Sequence, residues 1–303
     1  MSKIIVLGNG YVGQKVYKQL SAKFDQDITS VQGLSYDNPE ELNNEFEQIL
    51  KPKVMTVGPK SSTDQTWLIN CVGYTGKPNV DACEEDKEKC WALNVTFPIL
   101  LANFCIKHNV KVINISSGCI YDNYKCIVNK KYEEEEWPDF GIDSESSSWY
   151  SRTKHAAELS LNAYPNVYTL RVRMPICNDF NSGKNYLSKL LKYNDLLEEV
   201  NSKTVIKDLI DVVNKIIIIQ DIPSGLYNCV NPQALSTKEV TEILDKNGMW
   251  NPHWNFIDYK ELKKHIKANR SNCILSTEKS RLYNIEMPSE RDSLNELLSP
   301  NEE

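Results

Sequence analysis

The sequence predicts an α/β protein of the Rossmann type, a doubly wound parallel sheet with a smaller C-terminal substrate-binding lobe. Short apolar runs alternate with segments whose apolar residues recur at helical spacing. That alternation is typical of a parallel sheet with helices on both faces. The first run leads into the glycine pattern GNGYVG, and the alternation stops after Pro175. We therefore expect a dinucleotide-binding domain at 1–175. A substrate-binding lobe at 176–303 would follow, interleaved with the last strands of the sheet.

The predicted elements follow in order along the chain. Ile4 to Leu7 is an apolar run closed by a glycine, the form of a strand buried on both faces. Asp37 or Asn38 can cap the second helix, and Pro39 fits its first turn. The expected strands are 4–7, 27–31, 67–73, 110–116 and 167–173, with an isolated strand at 226–230. The expected helices are 11–24, 37–50, 85–108 and 150–163. The expected loops are 52–66 and 123–148, and the acidic run at 133–136 in the second loop is predicted to face solvent.

Composition excludes several classes of function. The 303 residues are 41% hydrophobic, enough to bury a core, and the formal net charge of −6 without a basic run argues against nucleic-acid binding. Nine scattered cysteines without a CxxC pair indicate reduced thiols in a cytosol-like compartment. The four histidines form no ligand pair with those cysteines, so we expect no metal. No signal peptide and no run of about 18 apolar residues occurs, so we expect a cytoplasmic protein with no membrane partner.

The stretch GNGYVG predicts a dinucleotide site. Its first glycine permits a tight turn, the second lets pyrophosphate approach the backbone, and the third lets the helix pack closely. Gln32 and Gly33 follow the second strand, so no carboxylate claims a ribose hydroxyl there. We therefore expect NADPH as the cofactor, with NADH left open. The residues that we assign to the cofactor are Gly8, Gly10, Tyr11, Val12, Gly13, Gly73, Lys154 and Met174.

The stretch YSRTK predicts proton transfer. Tyr150 and Lys154 lie one helical turn apart on one face. A lysine cation beside the tyrosine should lower its pKa from the usual value near 10 and let it act as an acid or base. Ser117 ends the fourth strand, where side chains face the ligand crevice, and can hydrogen-bond a substrate carbonyl. We prefer it to its neighbour Ser116 for that role.

Five stretches together resemble the extended short-chain dehydrogenase/reductase family of nucleotide-sugar epimerases and reductases. They are GYTGKPNVDACE, ISSGCIYD, YSRTK, TLRVRMPI and ANRSN, and the likeness spans nearly the whole chain. Within the family they are most similar to the branch of bifunctional UDP-4-keto-6-deoxy-glucose 3,5-epimerase/4-reductases. This chain departs from the branch in its glycine pattern, which is one residue tighter than GxxGxxG, and in Ser117, which replaces a threonine.

The resemblance assigns further residues. It implies that Tyr150 and Lys154 serve reduction, whereas Cys119 and Lys189 serve epimerisation. A 4-keto group acidifies the hydrogens on C3 and C5, and inversion at either carbon needs a base on one face and an acid on the other. A thiol beside a cation is readily ionised and can take the proton. The resemblance also implies substrate contacts at Thr75, Asn79, Asn94 and Arg270.

The predicted function is the NADPH-dependent conversion of UDP-4-keto-6-deoxy-glucose to UDP-L-rhamnose. One alternative keeps the chemistry but uses a UDP-2-acetamido-2,6-dideoxy-4-keto-hexose. A second is a plain nucleotide-sugar 4-reductase resembling dTDP-4-dehydrorhamnose reductase, with Cys119 inert. A third is a non-catalytic regulatory subunit on the same fold. By the resemblance alone, a homodimer through helices 85–108 and 150–163 is expected.

Overall fold

The structure, a computed structural model, describes residues 3–23, 28–36, 38–50, 65–122, 130–219 and 221–299. The strands are β1 (Lys3–Leu7), β2 (Ile28–Val31), β3 (Thr66–Asn70), β4 (Val110–Ser117), β5 (Lys131–Tyr132), β6 (Val167–Val172), β7 (Pro175–Ile176), β8 (Asp195–Leu197), β9 (Thr204–Val205), β10 (Gly225–Asn228), β11 (Asn255–Ile257) and β12 (Ile274–Leu275). The helices are α1 (Tyr11–Lys23), α2 (Pro39–Leu50), α3 (Lys87–Trp91), α4 (Phe97–Lys107), α5 (Trp149–Leu161), α6 (Tyr186–Lys192), α7 (Ile206–Ile218), α8 (Thr237–Lys246), α9 (Tyr259–Leu262), α10 (Glu278–Leu282) and α11 (Glu290–Leu298). A 3-10 turn spans Val80–Cys83.

Six parallel strands form the main sheet, which confirms the predicted fold class. Their order is β2-β1-β3-β4-β6-β10, so the direction in which successive strands are added to the sheet reverses between β1 and β3. In such sheets ligands bind beyond the carboxyl ends of the strands at the reversal point. The register aligns those ends, with Leu7 opposite Asn70 and Asn70 opposite Asn114. The sheet thereby brings the glycine turn and the loops after β3 and β4 to one edge.

Both faces of the sheet are buried. Ile4 and Val6 point into a cluster under α1 and α7, whereas Ile5 and Leu7 point into a cluster with residues of α2 and α4. Successive residues of β1 are thus buried on opposite faces of the sheet, as the continuous apolar run predicts. Asn38 accepts hydrogen bonds from the backbone of Glu40 and Glu41 and so caps α2. Asp37, the other predicted cap, lies outside the described residues, as do 52–64 and 123–129 of the predicted loops.

The chain after β6 contributes to both parts of the molecule. The predicted isolated strand at 226–230 is instead β10, the edge strand of the main sheet, beside β6. Helix α7 packs on α1 beneath the same sheet. Three two-stranded sheets, β5-β12, β7-β9 and β8-β11, and a separate apolar cluster around α6 and α8 make up the C-terminal lobe. The boundary at residue 175 stays a prediction.

The acidic run at 133–136 faces solvent at Glu133 and Glu135, as the sequence predicts, but not at Glu134. Glu134 is buried, with 3% of its surface exposed, and its carboxylate accepts a hydrogen bond from the backbone of Asn228 at 2.8 Å. Glu135 pairs with Lys279 at 2.8 Å. The run therefore fastens the loop before α5 to β10 and to the C-terminal lobe.

One helix among the described residues, Lys87–Lys107, is long and apolar enough to cross a bilayer by length and composition alone. It is continuous from α3 through a π-helical turn (Ala92–Thr96) into α4. Phe97, Leu101 and Cys105 are fully buried against the sheet, as in a core helix. The expectation that no segment spans a membrane stays a prediction.

Candidate active site

The glycine turn between β1 and α1 is built for close approach. Gly8 has φ of 95°, in the left-handed region that favours glycine. A Cβ on Gly13 would lie 2.1 Å from the carbonyl oxygen of Gly8, so the first turn of α1 can pack there only on glycine. At Gly10 an added Cβ would meet no atom within 4 Å. The turn therefore leaves open space above Gly10, in front of the N-terminus of α1.

A crevice of about 250 Å³ lies along this turn, at the reversal point of the sheet. Gly8, Gly10 and Gly73 line it, together with Gln32 and Gly33 after β2. A helix N-terminus with free backbone amides favours phosphate, so these residues fit a dinucleotide. Asn9 donates a hydrogen bond to the side chain of Gln32 at 2.6 Å, and this amide pair stands where an acidic residue is usual.

Tyr11, Val12 and Met174, which are also predicted to bind the cofactor, are not among the residues that line this crevice. Val12 and Tyr11 pack on the core beside α7, and the Tyr11 hydroxyl donates to the Cys177 thiol at 3.0 Å. Met174, just after β6, has φ of 36°. A non-glycine residue in that region is strained, and such residues cluster at ligand sites. Their roles toward a cofactor stay predictions.

Tyr150, Lys154 and Ser117 meet at the carboxyl edge of β4. Ser148 caps α5 by accepting from the backbone of Ser151 at 3.1 Å, and this fixes the first turn, which carries Tyr150. Burial raises the pKa of Tyr150, with the charge of the Cys119 thiolate adding to the rise and a hydrogen bond with Ser117 opposing it. The Lys154 ammonium lies 5.8 Å from the centre of the tyrosine ring.

The expected lowering of the Tyr150 pKa is thus wrong for this structure. Lys154 is itself buried, with 7% exposed, and desolvation lowers its pKa. A desolvated ammonium at this distance does not offset the burial of the phenol. Tyr150 is therefore protonated at neutral pH, which is the state that can donate a proton to a substrate oxygen.

Asn94 organises the loop after β3 and is itself fully engaged. It lies in the π-helical turn, 2% exposed, and its side chain accepts from the Tyr74 backbone at 2.8 Å and donates to the Tyr74 carbonyl at 2.9 Å. It also donates to Thr153 at 3.1 Å. A Cβ on Gly73 would lie 3.2 Å from the Asn94 oxygen and 3.5 Å from the Lys154 nitrogen. Asn94 thus holds the loop beside Lys154.

Cys119 and Lys189 come from different parts of the molecule. Cys119 follows β4, and its backbone donates to the Ser117 hydroxyl at 3.2 Å. Lys189 lies on α6, which Asn185 caps. Desolvation lowers the pKa of Lys189, the Cys119 thiolate opposes that shift, and Arg270 adds to it. Cys119 therefore lies within electrostatic range of both Tyr150 and Lys189, and the roles of the two predicted epimerisation residues stay predictions.

A buried arginine holds the turn that carries Cys119. Arg173 donates to the carbonyl of Gly118 at 3.1 Å and to the Ser271 hydroxyl at 2.8 Å. A Cβ on Gly118 would lie only 2.5 Å from a methyl of Leu275 on β12. The turn after β4 is therefore packed against the C-terminal lobe, and a larger residue at Gly118 would require the Leu275 side chain to shift.

The predicted substrate residues of the loop after β3 and of the C-terminal lobe form hydrogen bonds with other protein groups. Arg270 binds both oxygens of Asp81 at 2.8 and 3.2 Å. Asn79 accepts from the backbone of Asp81 at 2.8 Å and caps the 3-10 turn. Thr75 is exposed and accepts from Lys184 at 2.8 Å. Contacts of these residues with a substrate stay predictions.

Sequence reasoning missed Lys184 and Arg173 as parts of the site. Lys184 also donates to the Gly76 carbonyl at 2.8 Å, so it joins the segment before α6 to the loop after β3. Its only signal in the sequence was proximity to Lys189, and its partners lie more than 100 residues away. Among the residues that the structure describes, no group of three or more His, Cys, Asp or Glu side chains could hold a metal.

Comparisons with known proteins agree on one family. The profile described as RmlD substrate binding domain matches residues 1–302. A trifunctional UDP-glucose 4,6-dehydratase/UDP-4-keto-6-deoxy-D-glucose 3,5-epimerase/UDP-4-keto-L-rhamnose-reductase of Arabidopsis thaliana is 33% identical over 77% of this chain and 34% of its own length. A bifunctional dTDP-4-dehydrorhamnose 3,5-epimerase/dTDP-4-dehydrorhamnose reductase of the same plant is 32% identical over 81% of this chain and 80% of its own length. The chain thus spans about a third of the trifunctional relative.

The crystal structure of the L780 UDP-rhamnose synthase from Acanthamoeba polyphaga mimivirus has the same fold. It matches this chain with a TM-score of 0.81 and 24% identity, over 99% of both chains.

Proposed function

Since the chain belongs to the RmlD substrate binding domain family, we propose that it is a nucleotide-sugar 3,5-epimerase/4-reductase that makes UDP-L-rhamnose from UDP-4-keto-6-deoxy-glucose with NADPH. The names of the two plant relatives carry these activities. One observation in the structure supports the double activity most strongly. The Cys119 thiol, on the turn after β4, lies within electrostatic range of both Tyr150 on α5 and Lys189 on α6.

Epimerisation would use the two groups on opposite faces of the sugar. The Cys119 thiolate takes the proton from C3 or C5, and the electron pair of that C–H bond passes into the enolate. Lys189, as an ammonium, returns a proton to the other face, and a lowered pKa makes it a better donor. Ser117 and Tyr150 hydrogen-bond the negative C4 oxygen meanwhile.

Reduction would follow in the same pocket. NADPH, bound along the glycine turn, is the source of the hydride for C4. Tyr150, which burial keeps protonated, gives its proton to the C4 oxygen as that oxygen gains charge. Lys154 supplies a positive charge beside the phenol. Asn94 keeps the loop after β3 in place beside Lys154.

Proton NMR in D2O tests the proposal directly. With UDP-4-keto-6-deoxy-glucose and no NADPH, deuterium should appear at both C3 and C5, and addition of NADPH should then yield UDP-L-rhamnose. Cys119→Ala should lose the exchange by at least 100-fold and still reduce a substrate that has already been epimerised. Cys105→Ala, which alters a buried cysteine of α4 outside the site, is the matched control and should exchange normally.

Other outcomes assign the chain elsewhere. Exchange at one carbon only would favour a 2-acetamido sugar. NADPH consumption without exchange would identify a plain 4-reductase, with Cys119 as a packing residue. If the protein catalyses neither deuterium exchange nor reduction, an enzymatic role is contradicted.

We further propose a cytoplasmic homodimer formed through Lys87–Lys107 and α5. Both helices expose apolar side chains, namely Trp91 (37% exposed), Ile106 (41%) and Leu159 (45%). Light scattering should give about twice the chain mass of 34.7 kDa.

A further inference from the structure

Helix α5 carries a buried carboxylate directly in line with the proposed reductase pair. Tyr150, Lys154 and Glu158 are spaced four residues apart, so they lie on one face of the helix. Only 2% of Glu158 is exposed. Burial of an ionised carboxylate at this depth carries a desolvation penalty of several kcal/mol unless charged or hydrogen-bonding partners compensate it.

Two strands of the sheet supply the partners. The Ser116 hydroxyl donates to one oxygen of Glu158 at 2.8 Å. The Arg171 guanidinium donates to the other oxygen through two nitrogens, at 3.0 and 2.9 Å. Ser116 and Arg171 are neighbours in the register of β4 and β6. Arg171 is in turn held by the Tyr121 hydroxyl at 3.1 Å. The carboxylate is thus fixed at the floor of the site.

Glu158 can affect the candidate active site in two ways. Ser116 immediately precedes Ser117, so the bond from Ser116 to Glu158 fixes the strand end from which Ser117 faces the crevice. Glu158 also lies one helical turn from Lys154, whose ammonium it favours against desolvation.

The other groups that act on Lys154 are the thiols of Cys83 and Cys90, from the segment after β3, and of Cys119, after β4. A hydrogen bond with Cys83 lowers the pKa of Cys90. Cys90 is therefore the competing source of negative charge beside Lys154.

We propose that Glu158 is a positioning residue for ketone reduction: its carboxylate lies one helical turn from Lys154 on the same face of α5 and, through Ser116, holds the end of β4. This inference rests on the proposed role of Lys154 in reduction. It goes beyond that role because Glu158 touches neither the crevice nor the cofactor turn and acts only through its neighbours.

The test is the pH profile of kcat for NADPH-dependent reduction of a UDP-4-keto sugar that is already epimerised. Glu158→Gln keeps the shape of the side chain, removes the charge and leaves Arg171 uncompensated. The alkaline limb of the profile, where Lys154 loses its proton, should move to lower pH by at least one unit. KM should change less than twofold. Ser116→Ala, which keeps the charge, should lower kcat at every pH without moving the limb.

A second buried ion pair provides the matched control. Lys203 and Glu290 lie 3.0 Å apart in the C-terminal lobe, 1% and 0% exposed. Glu290→Gln should lower the melting temperature as Glu158→Gln does, and its pH profile should match that of the unaltered protein.

Three results would overturn the inference: equal loss of kcat at every pH in Glu158→Gln, a shifted limb in Glu290→Gln, or a shift caused by Cys90→Ala and not by Glu158→Gln. If Glu158→Gln does not fold, the double variant Glu158→Gln/Arg171→Gln removes both charges, and a kcat and pH profile equal to those of the unaltered protein would overturn the inference. The variant Lys154→Met tests the proposed role of Lys154 separately from that of Glu158. Undiminished reduction in that variant would refute the assignment of Lys154 itself, whatever Glu158 does.

Discussion

Two glycines of the turn after β1 should respond differently to the same added methyl group. In Gly10→Ala the new Cβ meets no atom within 4 Å, whereas in Gly13→Ala it lies 2.1 Å from the carbonyl oxygen of Gly8. The turn around Gly10 can therefore accept alanine without rearrangement. Gly13 cannot, because the Gly8 carbonyl oxygen that an added Cβ would meet belongs to the backbone of the turn.

The expected magnitudes follow from these contacts. An alanine that fits the backbone changes the free energy of unfolding by at most ~1 kcal/mol, so Gly10→Ala should melt within about 3 °C of the unaltered protein. Overpacking at Gly13 should cost ~1–3 kcal/mol and lower the melting temperature clearly. For NADPH binding, Gly10→Ala is the variant expected to show a loss, because its methyl group occupies the space through which pyrophosphate approaches. The Kd of Gly10→Ala for NADPH should rise at least tenfold, or about 1.4 kcal/mol.

Melting curves without cofactor and a fluorescence titration with NADPH measure both quantities. Gly183→Ala, whose new Cβ also meets no atom within 4 Å, is the control and should change neither. If Gly10→Ala bound NADPH as tightly as the unaltered protein, the crevice over the turn would not be the cofactor site. If Gly13→Ala melted normally, the close packing of α1 on Gly8 would be refuted.

Two further predictions concern the loops that carry the site. Gly118→Ala should lower the free energy of unfolding by ~1–3 kcal/mol through the 2.5 Å contact with Leu275, and Leu275→Val should restore part of it in the double variant; purely additive losses in denaturant titrations would contradict the contact. His155 is 2% exposed and accepts from the Ile142 backbone at 3.1 Å. Burial lowers its pKa below the ordinary 6.5, so the folded state binds fewer protons, and stability present above pH 6.5 is lost as the pH falls below it. His155→Gln should flatten that loss between pH 6.5 and 5, and an unchanged slope would refute it.

The strands, the main helices and the chemistry at the sheet edge could be predicted because each has a local signal. Alternating apolar runs give the strands, and the carboxyl edge of a parallel sheet is where Ser117 and the glycine turn must meet. The prediction of a solvent-exposed acidic run failed at Glu134, and no local pattern in the sequence could have corrected it. Glu134 is buried because Asn228, 94 residues away, presents a backbone N–H to it. Periodicity carries no information on such a pairing.

The same limit explains the protonation state of Tyr150. Sequence spacing puts Lys154 one turn away, which suggests a lowered pKa. The outcome depends on how deeply the phenol and the ammonium are buried. Depth of burial is a property of the assembled fold and cannot be counted along the chain.

The contacts between the two lobes bear on why epimerisation and reduction would share one pocket. Inversion at a carbon needs groups on both faces of the sugar, and a single sheet edge presents only one. Here Lys184 ties the segment before α6 to the loop after β3, and Arg270 ties the C-terminal lobe to Asp81. The first of these ties anchors the segment that leads into α6, the helix that carries Lys189. On the proposed function, reduction would need only the Rossmann half of the site, whereas epimerisation would need both lobes together. Loosening a tie between them should therefore impair proton exchange at C3 and C5 before it impairs hydride transfer.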